Sequence, residues 1–268
     1  MRDTHASKDV AWRSDGGGAI ASFAVRVLDG LVERSRVTSA RLRPDLVHAL
    51  IQSMVTTDQA HAEAALAAFR RACISPVAMA ERYIPAAARH LGSGWATDHL
   101  SFAEVSIATA RLQALVRAIG IRWGGTATQP QDHRCVLMIV PAGEQHTLGA
   151  VVATAQLRRM GMSVCLRLGP DRAEVSELLR TRAFDIAMLS IGHDKRLDSV
   201  ARLVETLRVF GPRGLPLAAG GAVVADGADV VARTGVDFMA QDLAQALALC
   251  GCGAAPVAAA PPALVLQV

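Results

Sequence analysis

The residues best suited to chemistry fall in one short segment, Pro141-Ala142-Gly143-Glu144-Gln145-His146-Thr147-Leu148-Gly149. Imidazole is a good donor to a transition metal such as cobalt. A ligating histidine commonly hands its other ring N–H to a carboxylate or carbonyl, which fixes its tautomer. Glu144, two residues before His146, is the candidate for that role. Gly149 would let the start of the next helix lie close to a strand or to a bulky ligand. On spacing alone the segment also admits a plainer reading, a loop histidine with no ligand. Other chemistries lack their residues. The chain contains no GxxxxGK[ST] phosphate loop, no GxGxxG, no HExxH, no calcium loop and no Ser-His-Asp spacing. A phospho-accepting receiver domain would need an aspartate ending its third strand, where this chain reads Leu189-Ser190-Ile191-Gly192.

The elements that must position His146 are legible from periodicity. Beyond residue 134, short apolar runs alternate with amphipathic stretches, predicting strands at 135–140, 163–168, 185–190, 215–219 and 236–239. Helices are predicted near 147–160, 173–181, 197–210, 225–234 and 241–249. Continuous apolar strands are expected where both faces of a parallel sheet are covered. The fold class is therefore α/β, with a five-stranded, flavodoxin-like (Rossmann-type) parallel sheet, and ligands bind at the carboxyl ends of its strands. Residues 40–120 read instead as a four-helix bundle, with Pro44-Asp45 in a first turn and Ser101 and Glu104 at capping-box spacing. The third of these helices is expected to stop near Gly92 and Gly94. Residues 1–39 read as a polar leader and an amphipathic helix, 121–133 as a linker, 134–252 as the α/β domain and 253–268 as an Ala/Pro-rich disordered tail.

Composition narrows the classes further. Hydrophobic residues make up 51% of the chain, enough for two cores, yet no run approaches a membrane span. The net charge of +4 is carried on scattered rather than massed arginines, and aromatics are only 4%, so direct DNA binding is not expected. Five cysteines without zinc spacing, and no apolar signal core, suit a reducing cytoplasm.

Three motifs at the ends of three predicted strands resemble the signature of cobalamin-binding domains. Glu144-x-His146-x-x-Gly149 is similar to DxHxxG, with Glu for Asp; Ser190 follows the third strand; Gly220-Gly221 follows the fourth. The resemblance implies that His146 is the axial ligand of cobalt in place of the cofactor's own base. It also implies that the nucleotide tail enters a slot lined by Ser190, Gly220 and Gly221. The segment around Trp95 looks like the aromatic segment that covers the upper face of the corrin. It departs from light-sensing adenosylcobalamin regulators at Ala96, Val105 and Ser106, where those proteins carry His or a Glu-His pair. That departure implies a hydroxo or aquo form rather than adenosylcobalamin.

Length, bundle, cobalamin domain and missing helix-turn-helix together resemble the AerR/PpaA-type regulators of photosynthetic bacteria. Such a resemblance implies a non-enzymatic antirepressor acting on a photosystem-gene repressor of the CrtJ/PpsR type. The alternative is a corrinoid carrier of a methyltransferase system, whose modules share the same two parts.

Overall fold

The computed structural model describes residues 42–56, 58–123, 134–224 and 229–252. The predicted leader and N-terminal helix, the linker from 124 to 133 and the tail lie outside the described residues.

The N-terminal part is helical. Helix α1, Pro44–Val55, begins with proline, which loses no hydrogen bond in a first turn. Helix α2, Gln59–Arg71, is capped by Asp58, whose side chain accepts from the Ala60 N–H. Helix α3 is continuous but composite: Pro76–Ala78, a π-helical turn Met79–Tyr83, and Ile84–Ala96. Pro85 lacks the N–H that an α-helix would direct back four residues, and the turn before it widens accordingly.

The expected stop at Gly92 is corrected, because α3 runs through both glycines to Ala96. The chain turns only where the Gly94 carbonyl accepts from the His99 and Leu100 N–H groups, at 2.8 and 3.1 Å. The Leu100 side chain closes on Gly94, where a Cβ would stand 2.9 Å from Leu100 Cδ1. Helix α4, Phe102–Trp123, opens with the expected capping box: Ser101 Oγ accepts from the Glu104 N–H while Glu104 Oε2 accepts from the Ser101 N–H. It runs three residues into the predicted linker. Arg111 of α4 donates to the carbonyls of Met54 and Thr56 at 2.6 and 2.8 Å, satisfying the open end of α1.

The second part is a five-stranded parallel sheet in the order β2-β1-β3-β4-β5, the flavodoxin-like arrangement. Its strands are β1 Cys135–Val140, β2 Ser163–Leu168, β3 Ile186–Ser190, β4 Leu217–Gly220 and β5 Phe238–Met239. Three strands start later than predicted, for polar reasons. Asp185 turns its carboxylate onto the Cys135 N–H at 2.7 Å and stays outside β3. Pro216 cannot donate into the ladder, so β4 begins after it. Asp237 caps the Leu217 N–H at 2.8 Å, leaving β5 short.

The connecting helices are α5 Leu148–Arg159, α6 Arg172–Thr181, α7 Leu197–Phe210, α8 Val230–Thr234 and α9 Leu243–Leu249. Val136, Met138 and Val140 of β1 pack with α5 and α9. The alternate residues Leu137 and Ile139 face α6 and α7. Helix α5 is apolar on two sides. Ala150 and Leu157 meet the sheet, while Leu148, Val151, Val152 and Ala155 belong to the core of the bundle. The bundle is thereby seated on α5, and Arg159 at its end pairs with Glu81 of the π turn at 2.6 Å. No described helix is long and apolar enough to cross a membrane.

Candidate functional site

In this strand order β1 lies between β2 and β3, so the chain winds away in opposite directions from β1 and β3. The crevice at their carboxyl ends is where such sheets bind ligands. The loop after β1 carries Glu144 and His146. The loop after β3 carries Gly192 and His193.

Glu144 is the hinge of the arrangement. Its side chain is only 2% exposed, whereas that of His146 is 57% exposed. Oε1 accepts from the His146 backbone N–H at 2.9 Å and lies 2.8 Å from its ring Nδ1. Oε2 accepts from the Gly192 N–H at 2.7 Å. Burial pushes this carboxyl up, but the hydrogen bonds from His146 and Gly192 outweigh it and hold the group below the usual glutamate value. An ionised carboxylate only accepts, so Nδ1 of the neutral ring carries the proton and Nε2 keeps its lone pair. The site thus presents one preoriented imidazole nitrogen.

The loop is braced from three sides. Arg196 donates to the Gly143 carbonyl at 2.7 Å. Gln113 of α4 donates to Thr147 Oγ1 at 2.7 Å, reaching the loop from the bundle. Gly192 lies so close that a Cβ there would fall 2.6, 2.7 and 2.8 Å from Glu144 Oε2, Oε1 and Cδ. The longer acid in place of aspartate is accommodated by a glycine on the facing loop. The His193 ring stands edge-on to His146, with centroids 4.9 Å apart and planes at 81°.

The other expected residues are placed as follows. Ser190 ends β3 and pairs in register with Gly220 at the end of β4. Gly221 adopts φ +111°, and a Cβ would come within 2.4 Å of the Ile191 carbonyl oxygen, so only glycine fits. Gly149 does not serve a close approach to a strand; a Cβ there would meet nothing within 4 Å. Gly149 is exposed at the start of α5. Trp95 is not bundle core: it is 52% exposed and tilts against Phe102, itself 64% exposed, with centroids 6.5 Å apart. His99 is exposed, with Nδ1 2.9 Å from Thr97 Oγ1. Val105 packs at the edge of the bundle core, while Ala96 and Ser106 are exposed.

Sequence reasoning missed Gly192, His193, Arg196 and Gln113. The usable signal was the Ser190-Ile191-Gly192-His193 run at the end of the third strand, beside the substitution of Glu for Asp.

These residues fit a corrinoid. Among the described residues no group of three or more metal-ligating side chains gathers. A lone imidazole supplies one coordination position and suits a metal that brings its other ligands with it. Beside it, Ser190, Gly220 and Gly221 keep the ends of β3 and β4 free of bulk.

No family model matches the chain. It is 40% identical over 175 residues to an uncharacterized 20.5 kDa protein in the bchF-crtJ intergenic region of Rhodobacter capsulatus, covering 65% of this chain and 91% of that protein. The fold is similar to that of the Methanosarcina barkeri monomethylamine corrinoid protein, with TM-score 0.57 and 16% identity, covering 76% of this chain and 97% of that one. A cobalamin-binding protein from Desulfitobacterium hafniense aligns at TM-score 0.39 and 17% identity, over 76% of this chain and 97% of that one.

Proposed function

The chain belongs to the family of the 20.5 kDa Rhodobacter capsulatus protein, and from its own site we propose that it is a cobalamin-binding regulator rather than an enzyme. The observation that carries the cofactor is the His146 ring, held at Nδ1 by the buried Glu144 carboxylate while the side chain as a whole stays more than half exposed. His146 would hold the cobalt through Nε2. Glu144 keeps the donor nitrogen free of its proton and strengthens its basicity. Ser190, Gly220 and Gly221 would leave room for the nucleotide tail at the ends of β3 and β4, and Trp95 with Phe102 would offer the ring an aromatic cover. When bound, cobalamin supplies a cobalt centre whose upper ligand can be exchanged or, in an alkyl form, released by light. The hydroxo or aquo form is favoured, because exposed Ala96 and Ser106 offer an adenosyl group no charged partner.

The position of the relative beside crtJ supports an AerR/PpaA-type antirepressor whose partner is a repressor of the CrtJ/PpsR type, working in the cytoplasm without membrane or direct DNA contact. Coupling requires that cobalamin bind two arrangements of bundle and sheet with different affinity. Gln113–Thr147 and Arg159–Glu81 are the polar ties such a change would strain. The similarity in fold to a corrinoid protein supports a second reading, a methyl-carrying corrinoid module.

The test is a titration of the full chain with hydroxocobalamin and with adenosylcobalamin in the dark, read by absorption, followed by capture of the candidate repressor with and without the cofactor. Uptake with preference for the hydroxo form, lost in His146→Ala, is expected. An unaltered spectrum on mixing with the wild-type chain refutes cobalamin binding. Uptake without repressor capture, but with methyl transfer from a methyltransferase, favours the carrier.

A further inference from the structure

The Glu144 bond fixes one edge of the His146 ring but not its plane. Rotation about the bond that joins a histidine ring to its Cβ is soft and broadly populated. The His146 side chain is 57% exposed, and solvent alone would not hold the ring. Its aromatic neighbour is His193, edge-on at 4.9 Å. His193 is itself well placed. Gly192 before it is buried and donates to Glu144, the His193 carbonyl accepts from the Arg196 N–H at 3.1 Å, and Arg196 reaches across to the Gly143 carbonyl. One loop therefore grips both the acid behind the imidazole and the face beside it.

Resting on the cobalamin reading above, we infer that His193 is a positioning residue that sets the plane of the His146 ring by edge-to-face packing, and so aims Nε2 at the metal. The ring's shape does this work, not its nitrogen atoms. Phenylalanine at the same place retains the function and alanine loses it.

The experiment uses the full chain as wild type, His193→Ala and His193→Phe. In the cofactor-free proteins, proton–nitrogen NMR of the His146 ring reads its tautomer and the exchange of the Nδ1 proton. Hydroxocobalamin is then titrated in, and the absorption change reads affinity. Wild type is expected to show the Nδ1–H tautomer with slow exchange. His193→Ala should exchange faster and bind about three- to tenfold more weakly, the scale of one aromatic pair. His193→Phe should recover both to within about twofold. Thermal midpoints should stay level, since His193 is exposed. An alanine variant matching wild type in exchange and affinity overturns the inference. So does a phenylalanine variant as weak as alanine, or a loss of affinity matched by a loss of thermal stability. A wild-type chain that takes up no hydroxocobalamin sinks the proposed function, and the NMR comparison alone then decides the role of His193.

Discussion

Replacing Gly192 with alanine adds one methyl group to a backbone that can hold it, and the consequence follows from what that methyl meets. The ideal Cβ lies 2.6 to 2.8 Å from three atoms of the Glu144 carboxyl group. A carboxylate ends a flexible side chain and could swing aside, so the steric clash alone is cheap. The cost arises because the carboxylate is buried and accepts three bonds where it stands. Swinging aside sacrifices at least the bond from the Gly192 N–H, worth about 1.5–3 kcal/mol for a charged acceptor. Gly192→Ala should therefore lower the unfolding free energy in urea by about 1.5–3 kcal/mol. Because the same carboxylate orients His146, hydroxocobalamin affinity should fall roughly ten- to a hundredfold. Shortening the acid withdraws the clashing atoms, so Gly192→Ala/Glu144→Asp should recover part of both losses, a non-additivity expected of groups in contact. A single variant within about 0.5 kcal/mol of wild type and binding as tightly would refute the reasoning, as would a double variant showing the plain sum of two losses.

Two further outcomes follow from the same geometry. Trp95→Ala removes a half-exposed ring, so stability should change by less than about 1 kcal/mol, while the absorption spectrum and affinity of the hydroxocobalamin complex should shift; a large loss of stability with an unaltered complex would return Trp95 to a structural role. Asp237 is pushed up by burial, but its bonds from Arg208 and the Leu217 N–H prevail and hold it below the ordinary aspartate value. A carboxyl with a depressed folded value stabilises above its unfolded value of about 4 and loses that contribution as pH falls through the lower one. The thermal midpoint of Asp237→Asn should therefore trail wild type at neutral pH and converge with it in acid; a gap independent of pH would contradict this.

The centre of the sheet was legible because β1, β3 and β4 are apolar runs buried along most of their length, and burial on both faces erases the alternation that would mark a half-exposed strand, whereas the edge strand β2 carries Ser163 and Arg167 and is largely exposed or half-buried. Strand starts were less so, since at the entrances of β3 and β5 the Asp185 and Asp237 carboxylates accept from the Cys135 and Leu217 N–H groups of the neighbouring strands. Low helix propensity at Gly92 and Gly94 predicts a break that tertiary structure overrides: Leu100 folds back on Gly94 and the helix continues beneath it. In the site, Glu144 and His146 declared themselves by closeness in sequence. Gly192 and His193 did not, because their partners stand on another strand's loop, 48 residues from Glu144 to Gly192. A glycine needed for what it lacks leaves no trace until its neighbour in space is known.

Helix α5 carries a mechanical consequence. It springs from the His146 loop, lies pressed between sheet and bundle, and ends at the Arg159–Glu81 pair. Its 12 residues make a rod about 18 Å long. A tilt of roughly 5° at the cofactor end would carry the far end about 1.6 Å, the scale of helix shifts that switch subunit interfaces. The rod would act as a lever, turning a small adjustment at one nitrogen atom into a displacement on the remote flank of the molecule.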